Sequence, residues 1–220
     1  MPGEARQALD KARQLIGPDE RIALRRAQVS FYEGGAAALR AQLAGAAFDS
    51  SENLTTLLRA ARLSLLLGDT STARRLLNKG VRLAGAAASN LDFPWYERQG
   101  ESGELTAAMV ELAGGDRAAA QARLRALSAR ITQLQQAGLE RFGLYTLLAQ
   151  ISSLRGDPST AMRSLHKATD LGWRATAEAI YDPAYASLQS RSDFRSLVER
   201  LERETAPMRV QASRAADGRP

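Results

Sequence analysis

The stretch GDTSTARRLLNKGVRL at residues 68–83 returns as GDPSTAMRSLHKATDLG at residues 156–172, and no other feature of the chain constrains its fold as strongly. Gly34, Gly68, Gly115 and Gly156 serve as anchors. Seven residues before each stands an alanine, Ala27, Ala61, Ala108 and Ala149, and nine residues after each stands a leucine, Leu43, Leu77, Leu124 and Leu165. Five residues after come Leu39, Ala73, Ala120 and Ala161, and twelve after come Ala46, Gly80, Leu127 and Ala168. Alanine and leucine are common here, so one coincidence means little; the joint pattern over four units means repetition.

The spacing predicts a helical hairpin. An alanine two turns before the glycine sits where a second helix must approach closely, and its small side chain permits that approach. The glycine ends the first helix. The aspartate that follows in Gly68-Asp69, Gly115-Asp116 and Gly156-Asp157 caps the next helix, and Pro158 occupies a first-turn position where a missing N–H costs nothing. On the second helix the apolar residues five, nine and twelve past the glycine form one stripe facing the first. Ala, Leu, Arg, Gln and Glu dominate, and aromatics are only 5% of the chain, so an all-α fold is expected throughout.

On these residues the chain resembles the tetratricopeptide repeat family. Its best unit is FGLYTLLAQISSLRGDPSTAMRSLHKATDLG, residues 142–172, where Tyr145, Leu148, Ala149, Gly156, Asp157, Ala161, Leu165 and Ala168 stand where the family's pattern asks. Gly34 to Gly68 spans 34 residues, the family period, whereas the next two intervals are 47 and 41. The insertion NLDFPWYERQGE at 90–101 absorbs part of that excess. The resemblance implies an all-α, right-handed α-α superhelix over residues 1–206. Its parts are a half-repeat helix at 3–16, hairpins at 19–48, 50–87, 92–137 and 139–172, and a C-terminal close at 173–206. Residues 207–220 read as a frayed tail.

Ala5, Leu9 and Ala12 lie 34 residues before Leu39, Leu43 and Ala46, so residues 3–16 read as the second helix of a repeat whose first helix is missing. That reading implies a chain cut from a longer array and an apolar stripe, including Leu9 and Ala12, left exposed. The competing reading is a capping helix, which solenoids need at an open end. At the other end, Gly172-Trp173, Asp182-Pro183 and the Phe194, Leu197, Leu201 stripe resemble the close of repeat arrays in bacterial winged-helix regulators and Ser/Thr kinases. Trp173 is expected in the core, and Trp95, behind Asp92-Phe93-Pro94, at a joint between repeats.

Chemistry is sparse. The sequence has one histidine, His166, and no cysteine, so metal sites built on several His or Cys ligands and thiol catalysis are excluded, and no metal or cofactor is expected. No phosphate-binding glycine loop or nucleophile-elbow motif occurs, and the chain reads as non-enzymatic. Asn53-Leu54-Thr55 matches a glycosylation acceptor but falls at a helix start. The net charge of +6 invites a nucleic-acid reading, yet the 30 basic residues are interleaved with 24 acids, which reads as solvated helix faces. No apolar run approaches the roughly 20 residues of a membrane span. The N-terminus lacks the apolar core of an export signal; the compartment is left open between the cytoplasm, for want of a signal, and the periplasm, if the chain is cut from a membrane-anchored parent.

The expected function is therefore a non-catalytic interaction scaffold that takes a peptide or protein along a concave groove; the alternative is a sensing segment of a larger bacterial signalling protein. First helices of tetratricopeptide arrays line the groove, so the resemblance places Arg21, Arg25, Gln28, Arg59 and Arg62 there, with Gln150 in the last repeat. The family's clamp for C-terminal carboxylates is not implied, because its places hold Leu24, Gln28, Arg59, Ser102 and Thr106. A general attraction to an acidic peptide or protein surface is implied, since arginine engages carboxylates bidentately.

Overall fold

A computed structural model describes residues 2–17, 19–44, 48–84 and 102–216. Among them every regular element is helical and there is no strand. The helices are α1 (Pro2–Ile16), α2 (Glu20–Ala44), α3 (Leu54–Leu66), α4 (Thr70–Ala84), α5 (Gly103–Ala113), α6 (Arg117–Gln136), α7 (Phe142–Leu154), α8 (Pro158–Asp170), α9 (Thr176–Tyr181) and α10 (Ser192–Ala216). Short 3-10 segments run over Phe48–Ser50 and Pro183–Leu188. The chain divides into two compact units, the first built from α1 to α4 and the second from α5 to α10 as far as Val210.

Three hairpins, α3–α4, α5–α6 and α7–α8, turn in one way. Gly68, Gly115 and Gly156 have φ of 70°, 86° and 78°, the left-handed backbone that a side chain disfavours. Each turn closes its first helix with two backbone bonds. Gly68 N–H donates to Leu65 O and Asp69 N–H to Ser64 O; Gly115 and Asp116 do the same to Leu112 and Glu111, and Gly156 and Asp157 to Ser153 and Ser152. This pairing satisfies carbonyls that the helix end would otherwise leave open. The same aspartates then open the next helix: Asp69 accepts from Thr72 N–H at 3.0 Å, Asp116 from Ala119 N–H at 3.1 Å and Asp157 from Thr160 N–H at 3.0 Å.

The facing helices meet on small residues. Ala27, Ala61, Ala108 and Ala149 have no exposed surface, and neither have Leu39, Ala73, Ala120 and Ala161. Leu77, Leu124, Leu165, Leu127 and Ala168 are buried behind them. In α4 the place of Ala168 is taken by Gly80, where an added Cβ would stand 2.9 Å from Leu54 Cδ1 of α3. An alanine there would require the end of the Leu54 side chain to shift, while Leu57 Cβ, at 3.7 Å, would be in ordinary contact.

The first hairpin departs from its expected turn. Gly34 does not carry the reversal; Gly35 does, with φ 66° and ψ −154°, the one non-helical residue inside α2. The local sequence gives the reason: Gly34 is succeeded by another glycine and three alanines rather than by a capping aspartate. The C-terminal boundary also shifts. Helix α10 continues past residue 206 through Pro207 to Ala216, where a frayed tail was expected. Proline removes one N–H and crowds one carbonyl, but Arg, Gln, Met and Ala around it are strong helix formers, and Thr205 Oγ1 closes on Leu201 O at 2.8 Å.

At the N-terminus α1 packs on α2. Leu9 and Ala12 are half-buried in this contact, and the ion pairs Arg6–Glu33 and Arg26–Asp10 flank it. The large apolar residues of α1 that are exposed, among those described, are instead Leu15 and Ile16 at its last turn. In the second unit Trp173, Tyr185, Phe194, Leu197, Val198 and Leu201 join Ala149, Ala161, Met162, Leu165 and Ala168 in one core. Trp95 and the 90–101 insertion lie outside the described residues.

Replacing Ala149 by Leu places three more carbons at a contact with no free surface and costs roughly 1 to 3 kcal/mol, read from denaturant unfolding. Ala126→Leu on the exposed side of α6 is expected to change stability by less than about 0.5 kcal/mol.

Candidate functional site

The residues expected along a groove fall into different environments. Arg21 is exposed but held by Asp19, whose Oδ2 takes Arg21 Nη2 at 2.9 Å and whose Oδ1 takes Nε at 3.2 Å. Asp19 Oδ1 also accepts the N–H groups of Arg21 at 2.8 Å and Ile22 at 3.3 Å, so the carboxylate caps α2 while neutralising the guanidinium. The Arg21 side-chain bond, aided by these backbone donors and by the arginine's charge, holds the Asp19 carboxyl down to about 2.

Arg25 donates from Nη1 to Gln28 Oε1 at 2.8 Å, and Gln28 Nε2 donates to Tyr32 Oη at 2.7 Å. These bonds run along one face of α2 by steps of three and four residues, the spacing of helical neighbours. Arg59 and Arg62 are half-buried on α3, which packs against α2. All five of these residues belong to the first unit.

Around Arg21 the fold builds a polar pocket of about 420 Å³ lined by Asp19, Glu20, Arg21, Asn53 and Thr56. Two parts of the chain are tied here: Ser51 Oγ donates to Glu20 Oε2 at 2.7 Å, and Asn53 Oδ1 accepts the Thr56 N–H at 3.1 Å as the N-cap of α3. With two carboxylates against one guanidinium the pocket is of mixed charge, not basic as the arginine pattern by itself implied. Asp19, Glu20, Asn53 and Thr56 were not singled out as site residues. The legible signal for them was the Asp-x-Arg spacing and the Asn at a helix start; their convergence is a tertiary fact.

Gln150, expected along the groove, lies inside the fold. It is buried, its Nε2 donates to Asp182 Oδ2 at 2.8 Å, and its Oε1 is enclosed without a hydrogen-bond partner. Beside it Ser153 Oγ and Ser187 Oγ are 2.7 Å apart, and Tyr185 Oη donates to Thr146 O at 3.3 Å. This polar seam binds the 3-10 segment Pro183–Leu188 to α7. The Ser153–Ser187 separation is 34 residues, one further period.

A second ionic cluster was also not anticipated. Arg123 of α6 reaches both Glu104 and Glu111 of α5, the latter through Nη2 at 2.8 Å, and its guanidinium is held charged first by the Glu111 bond and then by Glu104 against a cost of burial. The cluster bridges the two helices of its hairpin. His166 is exposed on α8. Among the described residues no group of His, Cys, Asp or Glu side chains is arranged to hold a metal ion, and no helix is long and apolar enough to cross a membrane. Compared with protein-family models, curated proteins and solved structures, the chain matches none.

The lowered carboxyls set a pH dependence. Asp19 loses its proton more readily folded than unfolded, as do Asp69 and Asp157, whose carboxyls are lowered by hydrogen bonds from Thr72 and Thr160. Each contribution is complete above the ordinary carboxyl value of 3.8 and is lost as the pH falls below it, for Asp19 toward about 2. The thermal midpoint is expected to drop across that window, and Asp19→Asn to flatten the drop. An equal pH slope in the variant would show that the Asp19–Arg21 pair carries none of it.

Proposed function

We propose that the chain is a non-catalytic interaction scaffold of tetratricopeptide-like hairpins, in which the faces of α2 and α3 take an acidic peptide or protein segment. The observation that carries the reading is the recurrence of one hairpin design, Gly turn, Asp cap and buried Ala, in a chain whose neighbouring first helices α2 and α3 both present arginines. Similar hairpins supply a surface by stacking, and such surfaces recognise extended or helical segments through side chains repeated at one offset. The contacts narrow the sequence expectation. Gln150 is internal, and the reading rests on Arg25 and Arg59, and on Gln28 and Arg62, which repeat at an offset of 34 residues on α2 and α3. Arginine suits the role because its planar fork pairs with carboxylates in two parallel bonds.

The test is fluorescence anisotropy with a labelled Glu-rich peptide, its Gln-substituted counterpart and a single-stranded oligonucleotide. The scaffold reading expects the Glu peptide to bind and the Gln peptide to bind more weakly. Charge reversal of Arg59 and Arg62 to Glu is expected to weaken Glu-peptide binding by about tenfold or more with the helical circular dichroism unchanged. Equal binding of both peptides, or no change on charge reversal, sinks the groove. Preference for the oligonucleotide with steep loss at high salt would replace it with a nucleic-acid surface.

A further inference from the structure

Helix α2 contains an uncommon junction. Its 25 residues are helical on both sides of a single residue, Gly35, at φ 66° and ψ −154°. That backbone is accessible in practice only to glycine. The bend is sharp: a Cβ added to Gly34 would stand 2.8 Å from the Ala38 Cβ, two atoms that an uninterrupted helix holds about 5 to 6 Å apart. Nothing beyond Gly35 separates the two helical halves. In the three other hairpins a capping aspartate, Asp69, Asp116 or Asp157, follows the turn glycine and accepts an N–H of the new helix. After Gly35 come Ala36, Ala37 and Ala38, the best helix formers available and no caps.

The same residues therefore suit a second conformation, one straight helix from Glu20 to Ala44, in which Gly35 relaxes to helical angles and Ala36–Ala38 donate to the preceding turn. Straightening has a cost that only another chain can repay. It would part the tie between Glu20 and Ser51 and open the pocket that joins Asp19, Glu20 and Arg21 to Asn53 and Thr56. It would also strip cover from buried Ile22, Leu24, Ala27 and Leu39. A second straightened copy presents the missing half of each contact, and the arrangement closes as a symmetric pair.

We propose that Gly35 is a hinge for self-association. With α2 bent the hairpin closes within one chain, and with α2 straight two copies exchange everything before the hinge, so that Glu20 of each meets Ser51 of the other. Short connections under backbone constraint favour such an exchange.

The experiment uses the full chain. Gly35→Ala disfavours the bend and favours the straight helix, and is expected to raise the dimer-to-monomer ratio by about 30- to 1,000-fold, read by light scattering after size exclusion. Because the chain contains no cysteine, cross-linking assigns the topology. Gly35→Ala carrying Glu20→Cys is unfolded, mixed with Gly35→Ala carrying Ser51→Cys, refolded together and treated with a short thiol-reactive linker. A cross-linked pair of chains is expected. In the Gly35 background the double variant Glu20→Cys/Ser51→Cys is expected to cross-link within one chain. An aspartate inserted after Gly35, restoring the Gly-Asp turn, should hold the chain monomeric. A Gly35→Ala chain that is monomeric, unfolded or aggregated, or a dimer that forms no inter-chain Glu20–Ser51 link, overturns the proposal.

Discussion

Three hairpins of this chain depend on one two-residue device, a glycine in the left-handed region followed by an aspartate. The glycine lets the backbone reverse. The aspartate serves both helices, its N–H closing the carbonyls of the one behind and its carboxylate receiving an N–H of the one ahead. A helix end otherwise leaves four polar groups without partners, and a turn this short has no room for other residues to supply them. Remove the device and the two helices lose both their ends and their fixed angle of approach.

What the turn sets up, small side chains complete. Hairpin helices are joined at alanines with no exposed surface, and at Gly80 the end of the Leu54 side chain occupies the space a methyl group would take. Close approach increases the number of atoms in dispersion contact along the crossing and leaves the leucines at the next turns to fill the space on either side. The α5–α6 pair adds a different bond, the guanidinium of Arg123 between Glu104 and Glu111. In the first unit the reversal at Gly35 lacks the aspartate, and the ties between Glu20 and Ser51 and among the pocket residues bridge what the turn does not cap.

Arginine content is a poor guide to the charge a partner would meet. Arg21, Arg26, Arg75, Arg123, Arg174 and Arg191 each face a carboxylate of their own chain. Most of these pairs are exposed, where water and salt screen them and their stabilising effect is small. Their larger consequence is for recognition, since a guanidinium already forked onto a carboxylate offers little to another acidic group. These pairs are electrically neutral and leave the chain's excess of 30 basic over 24 acidic residues unchanged.

The local grammar of the fold was legible from the sequence. Helix identity, the glycine ends at Gly68, Gly115 and Gly156, the aspartate caps and the buried alanine stripe all depend on residues within about two turns of each other, and hydrogen bonds of that range leave fixed spacings behind. The reach of α10 past Pro207 went unread because one proline is a local signal that the surrounding helix formers outweigh. The shift from Gly34 to Gly35 went unread because two adjacent glycines are equivalent until the neighbouring helices choose between them. The candidate site was legible as a set of arginines on predicted first helices, and no further. That Asp19 and Glu20 meet Asn53 and Thr56, that Gln150 turns inward to Asp182 thirty-two residues on, and that a 3-10 segment covers α7 were decided by the tertiary structure. Those contacts join residues whose separation along the chain carries no periodic signal, and only the packed positions of the helices bring their side chains within hydrogen-bonding distance.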